Sequence, residues 1–127
     1  MLLVILVNLA ASGAHFAHNA AFLESYPGPE WMTRPIIGIV WALAAAALLL
    51  GYRAYRKGAR RVGSLGVILY CVVSLFGFAH YLYGPPGDLS AWANAFIVAE
   101  GAASLVLLTW VISQHVPGGR LPKPPAG

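Results

Sequence analysis

Apolar residues fall in four long blocks, separated by short polar, basic or proline-rich runs. The first runs from Leu2 to about Leu23. The second, PIIGIVWALAAAALLLGY, spans Pro35 to Tyr52. The third, VGSLGVILYCVVSLFGFAHYLY, spans Val62 to Tyr83. The fourth, LSAWANAFIVAEGAASLVLLTWVIS, spans Leu89 to Ser113. Each block approaches or exceeds the roughly 20 residues a helix needs to cross a hydrocarbon core. None alternates apolar with polar residues, which excludes a β-barrel. The pattern predicts an all-α integral membrane protein with one domain over residues 1–115 and a Pro/Gly-rich tail over 116–127. Short connections make neighbouring helices antiparallel, so an up-down-up-down four-helix bundle is expected.

Composition strengthens this picture: 59% of residues are hydrophobic and 9% charged, against about 25% charged in soluble domains. Too little charge is present to coat a water-facing surface. The opening MLLVILVNLAASGA ends like a signal-peptide cleavage site but lacks a basic leader. It therefore reads as the first spanning helix. High Ala, Gly and Pro content hints at a GC-rich bacterial source.

The charges add sidedness. Arg53, Arg56, Lys57, Arg60 and Arg61 crowd one loop, Arg120 and Lys123 lie in the tail, and Arg34 alone falls on the opposite side. By the positive-inside rule the basic loop and both termini face the cytoplasm, as expected in a bacterial inner membrane. The net charge of +4 thus anchors topology beside anionic lipid, and no nucleic-acid partner is expected. Asp88 or Ser90 is placed to cap the fourth helix. Small-residue lines, such as Gly38 with Ala42 and Gly66 with Gly77, predict close helix packing. Cys71 reads as a small buried hydrophobe.

Polar residues inside the blocks carry the candidate chemistry. At roughly 100° per residue, Asn8, Ser12, His15, His18 and Asn19 share an arc of roughly 120° on the first helix. Such a stripe cannot face lipid cheaply and should turn inward. Glu100 lies near mid-membrane, where a carboxylate costs about 3 kcal/mol on insertion scales. His80 and Asn94 fall at a similar outer depth. A buried Glu–His pair suits general acid–base work. Glu100, His80 and His15 are therefore the candidate catalytic groups. Asn19, Asn94, Tyr70, Tyr81 and Trp92 are the expected ligand-binding residues. The pocket is expected between the first, third and fourth helices, open to the outer leaflet.

A metal site is the alternative. His15 and His18 are three apart, and His80 with a carboxylate could complete the ligands. Non-covalent haem held by two of these histidines is a variant, since no CxxCH is present. A third reading is a non-enzymatic subunit of a homo-oligomer or larger membrane complex. Phosphate loops, GxSxG and Cys–His nucleophile patterns are absent from the sequence. Four spans with outer-half His and Glu form a layout similar to small sterol-isomerase-like bundles, in architecture alone. The leading expectation is a pocket for a small, partly apolar or amphipathic ligand.

Overall fold

The structure is a computed structural model that describes residues 1–115, so the expected tail lies outside the described residues. The described chain is helical: α1 (Leu2–Ala21), α2 (Arg34–Arg56), α3 (Arg60–Leu75), the single turn α4 (His80–Tyr83) and α5 (Ala91–Ser113). A 3₁₀ segment, Phe76–Ala79, joins α3 to α4, so Arg60–Tyr83 acts as one span. Among the described residues, four spans are long and apolar enough to cross a membrane: α1, α2, the composite α3–α4, and α5. Only 28–33% of each is buried inside the chain. The outward faces carry residues such as Leu3, Leu43, Leu65 and Val106, which suit lipid contact.

Helix ends follow local chemistry. Ser90 caps α5, its Oγ accepting from Ala93 N at 3.1 Å. Pro35 sits in the first turn of α2, where its missing N–H costs nothing. That helix continues past Tyr52 to Arg56, because arginine stems extend along apolar surface and their charges suit a helix C-terminus. Gly58 turns the chain between α2 and α3 with φ +90, a conformation that favours glycine.

Glycines set the α2–α3 contact. A Cβ on Gly63 would lie 2.6 Å from Tyr55 N, and one on Gly66 would lie 2.7 Å from Ala47 O. Gly51 meets the same surface from the other side, a Cβ there falling 2.9 Å from Gly63 O. The expected Gly38–Ala42 line does not pack. Both residues are exposed, and nothing lies within 4 Å of a Cβ placed on Gly38. The sequence offered two glycines on α2, and helix rotation selected Gly51.

Two apolar clusters bracket a polar layer. Ile5, Leu48, Val67, Tyr70, Leu107 and Val111 belong to the larger cluster, and Tyr26, Leu89, Ala93 and Ile97 form the smaller. Along α1 and α5 the buried polar residues Asn8, Ser12, His15, Asn19, Glu100 and Ser104 fall between them.

Candidate functional site

The polar layer has a structural half and a half with unmet hydrogen-bonding capacity. Asn8 Nδ2 donates to Val4 O at 2.9 Å and to Ala103 O at 3.1 Å, while Ser104 Oγ donates to Asn8 Oδ1 at 3.3 Å. Tyr70 OH donates to Asn8 O at 2.8 Å. Trp41 Nε1 donates to Ser12 Oγ at 3.2 Å. These groups are partnered and tie α1 to α2, α3 and α5, as interhelical polar contacts do in lipid.

One helical turn further along α1, His15 Nδ1 and Glu100 Oε2 are hydrogen-bonded across α1 and α5. Both side chains are almost wholly buried, at 2% and 1% exposure. The 3₁₀ segment makes room for them. A Cβ on Gly77 would stand 3.1 Å from His15 Cε1 and 3.4 Å from Glu100 Oε2, so hydrogen is the side chain that leaves the pair undisturbed. The neighbouring Phe78 ring lies on Gly101 of α5.

His80 joins the group from α4. Its Nδ1 donates to the carbonyl of Pro27 at 2.7 Å, which fixes the tautomer of the neutral ring. Its Nε2 is then an acceptor and takes a hydrogen bond from Asn19 Nδ2 at 3.1 Å. The Asn19 amide is oriented in turn, leaving its Oδ1 as an acceptor. The His15 and His80 rings meet edge-on at 5.8 Å, and Tyr26 lies 5.0 Å from His80 and 5.7 Å from His15. Burial, and then the nearby Glu100 charge, push the Tyr26 hydroxyl up to about 12.

Among the described residues, three buried polar atoms have no partner: His15 Nε2, Asn19 Oδ1 and Glu100 Oε1. Buried polar groups normally find one. His15, Asn19 and His80 also line a cavity of about 460 Å³, within the range of small-molecule sites. Its other walls are chiefly apolar: Phe16 from α1, Ile37 and Val40 from α2, Val72, Val73 and Phe76 from α3 and its extension, and Trp31 with Met32 from the 22–33 segment. A smaller cavity of about 140 Å³ adjoins it, sharing Asn19, Pro29, Met32 and His80 and adding Tyr26 and Glu30.

The structure therefore brings His15, His80, Asn19 and Glu100 together, and places the cavity on a different wall from the expected one. It lies between α1, α2 and α3–α4, with Glu100 of α5 behind His15. The other four expected ligand residues stand apart from it. Tyr70 is packed in the larger core. Tyr81 OH donates to Asn94 Oδ1 at 2.9 Å, and Asn94 Nδ2 donates to Pro86 O at 2.9 Å, so both tie down the 84–90 turn. Trp92 is 70% exposed, with its ring stacked on Phe96. The rotation of α5 explains this: with Glu100, Ile97 and Ala93 turned inward, Trp92 must face out.

His18 also separates from His15. Its Nδ1 bonds Tyr26 OH at 2.8 Å, and its ring packs beside Phe22 and Phe96 at 4.6 and 5.0 Å. Among the described residues, no group of three or more His, Cys, Asp or Glu is placed to hold a metal ion. At the far end of the bundle, His115 Nε2 bonds Ser64 Oγ at 2.7 Å.

Tyr26, Pro27 and Gly77 escaped the sequence reading as site residues. Gly77 stood in a small-residue line, where packing was the natural inference. Pro27 acts through its carbonyl, which no side-chain pattern reveals. No family model, curated protein or solved structure matches the chain.

Proposed function

We propose that this is a small integral membrane protein whose cavity binds a small, partly apolar ligand, with His15 and Glu100 acting as a proton-transferring pair. The observation that carries the reading is the set of unpartnered buried atoms around that pair, beside a largely apolar cavity. A low-dielectric setting favours a pair with no net charge. Such a pair holds two protons, as imidazolium with carboxylate or as imidazole with carboxylic acid. Nδ1 is engaged with Glu100 in both, so Nε2 carries a proton in both. The ring thus has an N–H to donate, with Glu100 behind it as the proton reservoir. That is the arrangement a general acid needs.

The topology belongs to the same proposal. The 22–33 and 84–90 segments meet at one end of the bundle, where Pro27 contacts His80 and approaches Gly84. The basic turn at 57–59 joins α2 to α3. Positive-inside asymmetry puts that turn in the cytoplasm and the cavity in the outer leaflet of a bacterial-type inner membrane. The metal and haem readings lose support because His18 is bonded to Tyr26.

Native mass spectrometry of the protein released from nanodiscs made with its host membrane tests the binding role. One bound amphiphile per chain is expected. It should be lost from Val40→Trp, which fills the cavity. Absence of any adduct, or adducts that Val40→Trp leaves unchanged, would overturn the proposal.

A further inference from the structure

We infer that the ligand is a lipophilic alcohol: an uncharged molecule with a hydroxyl on an apolar body, reaching the cavity from within the bilayer. This rests on the binding role proposed above and adds the chemical class. The polar requirement comes from two side chains one helical turn apart on α1. Asn19 Oδ1 is an acceptor, because the Pro27 carbonyl sets the His80 tautomer and that ring takes the Asn19 N–H. His15 Nε2 is a donor whenever the pair with Glu100 is neutral overall. Residues at i and i+4 have Cβ atoms about 5–6 Å apart, so one oxygen can lie between the two groups. A hydroxyl donates and accepts through a single atom. It satisfies Asn19 and His15 at once.

Other head groups leave something unmet. An ether, ester or ketone accepts from His15 but strands the Asn19 oxygen. A carboxylate accepts from His15 but has no proton to offer the Asn19 oxygen, which it repels. An ammonium finds no carboxylate on the cavity wall, where its desolvation goes uncompensated. Both unpartnered atoms are buried within the wall, so the hydroxyl reaches them by parting two side chains, a rotamer-scale movement.

The route follows from the rim. Phe76, Leu82 and Tyr83 are cavity-lining residues that are also highly exposed, at 73%, 85% and 57%. They belong to the 3₁₀ segment and α4, on the side of a spanning helix where lipid is the expected neighbour. An apolar rim admits a molecule from acyl chains more readily than one from water. Trp31 closes the loop side, where an indole sits well at the headgroup level.

The test uses the full chain in nanodiscs and a fatty alcohol with a mid-chain diazirine as photoprobe. Dodecanol, dodecyl methyl ether and dodecanoate serve as competitors. Adducts are expected on the peptide covering residues 72–83. Dodecanol should suppress them at a concentration lower by about tenfold than the ether or the acid, the loss expected when a buried acceptor goes unpaired. In Asn19→Leu, alcohol and ether should compete within about twofold of each other. Because the competitor panel is run on the wild-type chain, it stands even if that variant misfolds. Specific labelling with alcohol and ether equivalent, or with dodecanoate preferred, overturns the alcohol assignment while the binding role stands. Labelling that no competitor suppresses overturns both.

Discussion

Replacing Gly66 by alanine should weaken the bundle, while the same change at Gly38 should not. At Gly66 the new methyl would sit 2.7 Å from Ala47 O and 2.9 Å from Gly51 Cα. The first distance is about 0.7 Å inside the 3.4 Å at which a Cβ contact becomes ordinary. Both obstacles are backbone, so no rotamer change relieves them and α2 must move off α3. Overpacking of this kind costs about 1–3 kcal/mol. Alanine recovers up to about 1 kcal/mol in helix propensity. The net expectation is a loss of up to about 2 kcal/mol, a factor of up to roughly 30 in the folded-to-unfolded ratio. At Gly38 the methyl meets open space, and only the propensity gain remains. Reversible unfolding in mixed micelles of rising SDS fraction, followed by far-UV circular dichroism, gives both values on one scale. Equal effects, or a larger loss at Gly38, would refute the reasoning and place a second chain against the outer face of α2.

Further outcomes can be checked in the same system. Glu100→Leu alone should cost about 3 kcal/mol by stranding His15, whereas His15→Leu combined with Glu100→Leu should recover most of that loss in SDS titration. A double-mutant cycle of Asn8→Ala and Ser104→Ala should give a coupling of about 0.6 kcal/mol, the scale of interhelical hydrogen bonds in lipid. Tyr26 is held neutral in the fold, its hydroxyl raised from 10.0 to about 12. Its contribution to stability is therefore full below pH 10 and falls as pH rises through about 12. Near-ultraviolet phenolate titration should show a late component that Tyr26→Phe diminishes. In intact spheroplasts an impermeant maleimide should label a cysteine introduced at Gly87, and should label one introduced at Lys57 only after the membrane is opened.

The spans and the α1 stripe were legible because both are one-dimensional signals. Apolar length marks a span, and helical periodicity puts Asn8, Ser12, His15 and Asn19 on one buried face. Glu100 announced itself by the cost of a carboxylate at that depth. What could not be read was rotation between helices. Nothing local tells whether α5 turns Trp92 or Ala93 inward, so Trp92 and Asn94 were assigned to a wall they do not form. The same ambiguity made Gly38 look like a packing residue in place of Gly51. The change from α3 to a 3₁₀ segment at Phe76–Ala79 left little trace either. Phe-Gly-Phe-Ala is as apolar as its surroundings, and the groups that pack against it, His15 and Glu100 at Gly77 and Gly101 at Phe78, belong to other helices.

The bond from His80 to the Pro27 carbonyl gives the loop a say in the chemistry of the cavity wall. Hydrogen-bond polarity passes from that carbonyl through the imidazole to the Asn19 amide, each link dictating the direction of the next. A peptide rotation at Pro27–Gly28 would release His80 to its other tautomer and let the amide turn over. The wall would then offer an N–H where it now offers a carbonyl oxygen. On the proposed binding role, a substitution at Pro27, which does not itself line the cavity, would in this way invert what the wall offers a ligand.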